Sequence, residues 1–300
     1  MLDWIHNWIG GMIVQLPLED IKAYPTHRPN SSISMAEIRL EPGLTIHYQD
    51  FNPLGSPTIV LLHGLGASGD SWQLQIPALT GEGYRVIVPD MRGFGKSTYP
   101  GGGNNPSIMA QDLICLMQLL RQEKFQLVGI SLGGTVALQI VLTRPDLVKS
   151  LLITNSFAKL RPKRLSLWFF YGIRLILVHL IGIETQAKYV SNRLFPDPGQ
   201  KVLREKFREQ VNQSNPRGYR STMRSLASFN ASSRVGEIQT PTLVITGGRD
   251  TVVPPASQVE LAKLIPDAQH IFIQDAGHAV TVEKPDQYNP VILEFFQNYN

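Results

Sequence analysis

The stretch from Phe125 to Leu142 constrains this chain more than any other. An apolar run of strand character, Phe125 to Ile130, leads into Gly129-Ile130-Ser131-Leu132-Gly133, and a run of helical character, Gly133 to Leu142, follows at once. A strand that becomes a helix without a spacer must bend sharply, and the residue at the bend, Ser131, has its hydroxyl pushed outward. Gly129 and Gly133 leave room for close backbone approach, and Gly134 lets the helix pack near the strand. A G-x-S-x-G pattern alone is common by chance. Set between a strand and a helix, it favours a nucleophile over a structural serine.

Serine is a poor nucleophile near neutral pH and needs a base, itself oriented by a third group. Two later segments offer these groups. The β-branched run Thr242 to Thr246 ends in Gly247-Gly248-Arg249-Asp250, and Ile271-Phe272-Ile273 leads to Asp275-Ala276-Gly277-His278. Taken singly, Asp250 reads as a turn residue and His278 as an ordinary surface or core histidine. All three follow strand-like runs, so one end of a sheet would collect them. Ser131 is then the expected nucleophile, His278 the base, and Asp250 the group that holds the imidazole in the useful tautomer. The buried-strand pattern Thr58 to Leu62 runs into His63-Gly64-Leu65-Gly66. A tetrahedral intermediate needs N–H donors aimed at its oxyanion. The backbone N–H groups of Leu132 and Leu65 are the expected pair, and His63 is expected to be structural.

Along the chain, strand patterns alternate with helical ones. Strands are expected near Glu37–Leu40, Thr45–Gln49, Thr58–Leu62, Tyr84–Val88, Gln126–Ile130, Ser150–Thr154, Thr242–Thr246 and His270–Ile273. Helices are expected over Trp72–Leu79, Ser107–Arg121, Gly133–Thr143, Ala256–Leu264 and Pro285–Gln297, with Asn105-Pro106 as a cap and first-turn signal. This alternation predicts an α/β fold around a mostly parallel sheet, with active-site loops at the carboxyl ends of its strands. It stops between Asn155 and Thr240, where the pattern is helical. The expected organisation is an N-terminal extension over residues 1–35, a core over 36–154 and 241–300, and a helical insertion over 155–240.

His63-Gly64, the loop Pro89-Asp90-Met91-Arg92-Gly93-Phe94-Gly95-Lys96-Ser97, the serine bend, Gly248-Arg249-Asp250 and Gly277-His278 stand in register with the landmarks of one family. Over nearly its full length the chain resembles the α/β-hydrolase superfamily, in its serine-nucleophile, cap-bearing esterase, lactonase or carbon–carbon hydrolase form. The resemblance implies the α/β-hydrolase fold, the triad order Ser131, Asp250, His278 and a helical cap inserted over the site. Serine at the nucleophile position argues against epoxide hydrolases and haloalkane dehalogenases, which place Asp there. Asp90 and Arg92 read as structural. The opening Trp8-Ile9-Gly10 to Pro17-Leu18-Glu19-Asp20-Ile21, Gly83-Tyr84-Arg85-Val86-Ile87 and Asn155-Ser156-Phe157 also have a faint similarity to maspardin-like proteins, α/β-hydrolase relatives associated with protein partners. That branch implies an adaptor with a vestigial site, although the complete triad favours retained chemistry.

With 43% hydrophobic residues, 300 residues can bury a full core in one domain or one domain plus an insertion. The single cysteine, Cys115, excludes an internal disulfide framework and reads as a buried apolar residue on the helix over Ser107–Arg121. No Cys/His cluster has zinc spacing, and no G-x-G-x-x-G fingerprint opens a dinucleotide site. The expected reaction is two-step acyl transfer to water, without metal or cofactor, on a small-molecule ester of hydrophobic acyl or aryl type. The alternative is carbon–carbon bond cleavage or enol-lactone opening on an anionic, ring-derived acid. Trp168, Phe169 and Arg174 are the candidate pocket residues.

The insertion also holds the charge asymmetry. From Phe157 to Gly236 there are fifteen Lys and Arg against four acids, a net +11, while the whole chain is +4. Three readings stand: a solvated helix face, attraction of an anionic substrate, and contact with an anionic membrane surface. The third draws on the apolar run Leu165 to Ile181, about one membrane span in length. Arg174 near its middle, and Gly172 and Gly182, argue against a true transmembrane helix. Apolar cap helices around a greasy pocket are the favoured reading, and an interfacial helix stays open. The basic residues form no nucleic-acid-binding motif. Trp4, Ile5, Trp8, Ile9, Met12 and Ile13 suggest a short amphipathic helix, and Asp3 with Gly10-Gly11 makes a poor signal peptide. The expected location is cytoplasmic, peripheral membrane contact being the minority reading, and the oligomeric state is left open.

Overall fold

The computed structural model describes residues 4–9, 12–17, 34–160 and 165–299. Two short strands, β1 (Trp4–Ile9) and β2 (Met12–Pro17), pair antiparallel with Ile9 opposite Met12. This corrects the expected amphipathic helix over Trp4 to Ile13. Glycine weakens a helix, and the sequence carries Gly10-Gly11 in the middle of that pattern, whereas the residues on either side pair as strands.

The remaining strands are β3 (Ser34–Glu41), β4 (Leu44–Phe51), β5 (Thr58–Leu62), β6 (Arg85–Pro89), β7 (Phe125–Ile130), β8 (Val148–Thr154), β9 (Thr242–Gly247) and β10 (Gln269–Ile273). They form one eight-stranded sheet in the order β10-β9-β8-β7-β5-β6-β4-β3. The ladder is parallel from β10 to β6, and β4 pairs antiparallel with both β6 and β3. Every residue of β5, β7 and β9 is buried, as expected of central strands covered on both faces.

Alternation along these strands feeds two cores. Val60, Leu62 and Leu127 point into one, which also takes Leu113 and Leu116 of α2 (Pro106–Leu119) and Val136 and Ile140 of α3 (Leu132–Thr143). Ile59, Leu61, Val128 and Ile130 point into the other, with Leu79 of α1 (Ile76–Gly81) and Ile292 and Phe295 of α10 (Pro285–Gln297). Cys115 lies buried on α2. The Asn105 side chain caps α2 by accepting from the N–H of Ile108 at 2.9 Å, with Pro106 in the first turn. The helix expected over Trp72–Leu79 is instead a 3₁₀ turn, Gly69–Trp72, followed by α1. Pro77 sits in the first turn of α1, where its missing N–H costs nothing.

Between β8 and β9 lie α4 (Leu165–Ile176), a π-helical turn (Leu177–Ile181), α5 (Ile183–Leu194), α6 (Lys201–Gln213) and α7 (Pro216–Ser228). The helix runs through Gly172, but Gly182, at φ +135°, ends the π turn. After β9 come α8 (Pro255–Leu264) and, past β10, a single turn α9 (Val280–Glu283).

The strand order also fixes where a site can form. From β5 the chain crosses to β6 on one side, then returns to β7 on the other, so β5 and β7 are neighbours at a topological switch point. A crevice opens at the carboxyl ends of such a strand pair.

Candidate active site

Register brings the key loops to one edge of the sheet. Leu62 of β5 lies opposite Gly129 of β7, Ile130 opposite Thr154 of β8, and Ile273 of β10 opposite Gly247 of β9. His63-Gly64-Leu65, Ser131, Asn155, Gly248 to Asp250 and Gln274 to His278 all leave the sheet there.

Ser131 sits in the bend at φ +54°, ψ −114°, a backbone state that costs a non-glycine residue roughly 1–3 kcal/mol. Its surroundings hold it there. Its N–H donates to the carbonyl of Thr154 at 3.0 Å, and its own carbonyl accepts from Ser156 Oγ at 2.7 Å. The glycines around it permit the crossing. A Cβ on Gly129 would come within 2.3 Å of the Gly133 carbonyl oxygen, and one on Gly133 within 2.2 Å of that of Leu62. Ser131 is also the N-cap of α3, at the positive end of that helix's dipole.

Asp250 is held from four directions. Its Oδ1 accepts from the N–H groups of Val252 and Val253 at 2.8 and 2.9 Å, and its Oδ2 from Gln258 Nε2 at 2.9 Å. The remaining partner of Oδ2 is His278 Nδ1, at 2.8 Å. With Nδ1 carrying its hydrogen toward the carboxylate, Nε2 is the ring atom left to take up a proton. The loop bearing His278 is clamped in turn. Asn155 Nδ2 donates to the carbonyls of Gly277 and His278 at 3.0 and 2.7 Å, while Asn155 Oδ1 accepts from Gly247 N–H at 2.7 Å. On the other side, Glu283 accepts from the N–H groups of Gly277 and Ala279 at 3.0 and 2.9 Å. Burial pushes the Glu283 carboxyl above its ordinary value despite these two bonds.

Ser131 and His278 line one cavity of about 620 Å³, together with Gly64 and Leu65. That volume is in the range of small-molecule sites, roughly 300–1,000 Å³. Leu132 opens α3, so its N–H has no acceptor within the helix. The walls are largely apolar and come from the segment between β8 and β9: Leu160, Trp168, Tyr171, Leu175, Val190, Leu194, Phe207 and Met223, faced by Val252 and Val282. Burial pushes the Tyr171 hydroxyl up to about 12, so it stays protonated.

Of the expected pocket residues, Trp168 and Arg174 line this cavity and Phe169 does not. Adjacent helix positions point about 100° apart, so α4 turns Phe169 away when it turns Trp168 and Arg174 inward. Phe169 is 70% exposed. Arg174 is buried, stacks at 5.4 Å from the centre of the Phe170 ring, and its Nε has no hydrogen-bond partner. The cavity does not gather the segment's positive charge: Arg174 and Lys206 are matched by Asp70 and Glu209. Much of the rest is spent on structure, as with Arg204, whose guanidinium donates to the carbonyls of Phe195, Asp197 and Pro198.

The Asp90 loop is structural, as expected. Burial alone would raise Asp90, but His47, His63 and the N–H groups of Gly69 and Lys96 together hold its carboxyl below its ordinary value. Arg92 forks onto Asp112. His63 is fully buried, with Met91 N–H donating to its Nε2 at 3.0 Å and its Nδ1 2.8 Å from the Gly64 carbonyl. Asn155, Gln258 and Glu283 are the site residues that sequence reasoning missed. Only Asn155 carried a signal, since it directly follows a buried strand and Asn tolerates the left-handed backbone it adopts, φ +47°. Among the described residues no group of His, Cys, Asp and Glu is arranged to hold a metal ion, and no helix is long and apolar enough to cross a membrane.

A crevice at the switch point, a serine bend and a clamped Asp–His pair define a class, and comparison with known proteins agrees with it. The profile of the alpha/beta hydrolase fold matches residues 57–285, and the chain belongs to that family of enzymes. It is similar to the putative carbamate hydrolase RutD of Rhizobium rhizogenes, 31% identical over 250 residues, covering 80% of this chain and 92% of that one. Among solved structures it is similar to the enol-lactonase from Burkholderia xenovorans LB400, with a TM-score of 0.77, 25% identity, and coverage of 85% of this chain and 97% of that one. It is likewise similar to a thermophilic esterase from Thermogutta terrifontis, with a TM-score of 0.76, 26% identity, and coverage of 89% and 99%.

Proposed function

We propose that this hydrolase cleaves a carboxylic ester with a hydrophobic acyl or aryl group, through an acyl-enzyme on Ser131. The observation that carries the reading is the 2.8 Å contact of His278 Nδ1 with a fully hydrogen-bonded Asp250, in a loop whose His278 shares an apolar cavity with Ser131. His278 Nε2 takes the Ser131 proton as Oγ bonds to the substrate carbonyl carbon. The N–H groups of Leu65 and Leu132, and the dipole of α3, stabilise the oxyanion. The tetrahedral intermediate collapses, the carbon–alkoxy bond breaks, and the alcohol leaves with the proton from His278. Water then attacks the acyl carbon, again giving its proton to His278, and Ser131 regains a proton as the acid departs. The helices between β8 and β9 act as a cap that excludes bulk water from these steps.

A panel of p-nitrophenyl esters of rising acyl length tests this reading. Turnover should rise from acetate to longer chains and vanish in Ser131→Ala. Turnover confined to acetate would overturn the apolar acyl pocket, and undiminished turnover in Ser131→Ala would overturn the nucleophile.

The buried Arg174 guanidinium favours a second reading, an anionic ring-derived acid cleaved at a carbon–carbon or enol-lactone bond. Its unpartnered Nε would bind the substrate carboxylate, and the likeness to an enol-lactonase is in keeping with it. Under this reading Arg174→Met raises KM for acidic substrates far more than for neutral ones; an equal effect on both classes counts against it.

A further inference from the structure

Helix α4 and the π turn that continues it are apolar on two opposite faces. Leu167, Phe170 and Val178 point inward and are buried. Leu165, Phe169, Ile173, Ile176 and Leu180 recur at spacings of four, four, three and four residues on the outer face, and all are exposed, Leu180 to 80%. Ile181 extends the patch. A surface helix normally turns polar residues outward, and contiguous exposed apolar side chains mark an interaction surface. The stripe runs along 17 residues, about 25 Å of helix.

The flank of this stripe is basic. Arg220 Nη1 donates to the Val178 carbonyl at 3.5 Å, and Arg224 Nη1 lies 3.4 Å from His179 Nε2, so two arginines of α7 border the π turn. Helix α7 contains no acidic residue, and the sequence has none between Asp146 and Glu184. Arg220 and Arg224 form no salt bridge among the described residues. An apolar stripe flanked by arginines that form no salt bridge among the described residues fits the boundary between lipid headgroups and acyl chains. It fits a second copy of the chain poorly, because a twofold contact sets a patch against itself and would oppose like charges.

We propose that the outer face of α4 and the π turn docks this protein on an anionic lipid surface. Phe169, Ile173 and Leu180 enter the headgroup–acyl boundary, and Arg220 and Arg224 meet the negative headgroups. Trp168, both exposed and lining the cavity, then stands where the rim of the cavity meets the lipid. The docking is independent of which bond the enzyme cleaves.

Co-sedimentation of the full chain with vesicles tests it. The protein should bind vesicles of phosphatidylcholine mixed with phosphatidylglycerol, and less well pure phosphatidylcholine or mixed vesicles in high salt. Phe169→Ser/Ile173→Ser/Leu180→Ser should weaken binding at least about tenfold without moving the thermal midpoint, since the side chains removed are exposed. Leu180→Ser alone repeats the test should the triple variant fail to fold. Arg220→Ala/Arg224→Ala should weaken binding to mixed vesicles alone. The proposal is overturned if the wild type stays in the supernatant, if the triple variant binds as well as the wild type, or if the wild type is a dimer that the same substitutions dissociate.

Discussion

The side-chain amide of Asn155 donates to the backbone carbonyl of His278 at 2.7 Å. The same side chain accepts from Gly247 N–H, so one buried residue at the end of β8 ties the Asp250 loop to the His278 loop. A hydrogen bond to a backbone carbonyl cannot move protons for the reaction. What it does is fix the height of the imidazole above the sheet.

Replacing this residue should therefore lower kcat without much change in KM. Misplacement of a catalytic group by about 1 Å costs on the order of 100-fold, and Asn155→Ala should lose roughly 10- to 100-fold in kcat on that basis. It also leaves buried backbone groups unpaired, at about 1–3 kcal/mol. Steady-state kinetics with urea unfolding of the same variant separates the two effects. A variant that is destabilised but keeps wild-type kcat would mean that Asn155 braces the fold and not the imidazole.

Asp250→Asn should be far more damaging to rate than to stability. The amide keeps the shape of the carboxylate, but its NH₂ can donate toward Nδ1 and so favours the tautomer with its hydrogen on Nε2. Under the proposed mechanism, that removes the ring nitrogen that takes the Ser131 proton. A loss of about 10²–10⁴ in kcat is expected, with the loss partly relieved at high pH. A fall of less than tenfold would place the orienting role elsewhere.

Much of this arrangement was legible before any coordinates. The bend at Ser131 announces itself because two periodicities meet at a glycine-flanked residue, and β5, β7 and β9 announce themselves because both faces are buried. The strand ends carrying Asp250 and His278 followed from the same patterns. What was not legible depends on contacts between segments distant in the chain. Glu283 clamps its loop through two backbone N–H groups, which leave no trace in sequence spacing. Phe169 and Trp168 are equally apolar, and only the rotation of α4 against its neighbours decides which one meets the cavity. The Trp4 to Ile13 stretch fits either a helical or an alternating template over so few residues, and the antiparallel pairing of β1 with β2 decides between them.

His63 gives a pH signature that is independent of catalysis. Burial lowers its pKa from the ordinary value, and Met91 N–H occupies the nitrogen that would be protonated. Below about pH 6.5 the unfolded chain therefore binds a proton that the folded chain refuses. Stability is fully present above that pH and is lost as pH falls toward the folded pKa, with a slope of up to about 1.4 kcal/mol per pH unit. His63→Asn removes this contribution. Urea unfolding between pH 5 and 7, read as the difference between the two proteins, should show it; parallel pH profiles would mean that His63 is not the group responsible.

Two glycine-to-alanine changes should move stability in opposite directions. At Gly129 the new methyl would lie 2.3 Å from the Gly133 carbonyl oxygen and 2.6 Å from Gly134 N, both backbone atoms, so β7 or α3 must shift. Overpacking of this kind costs about 1–3 kcal/mol, and because it tilts the bend, Gly129→Ala should also lose activity. At Gly172, inside α4, a methyl meets nothing within 4 Å. Alanine there recovers helix propensity, and Gly172→Ala should stabilise by about 0.5–1 kcal/mol. Since Gly172 lines the cavity, the added methyl also trims the space for substrate, so the stabilised variant should show a higher KM for the longest acyl chains and an unchanged one for acetate. A gain in stability with uniform kinetics would mean that long acyl groups bind away from α4.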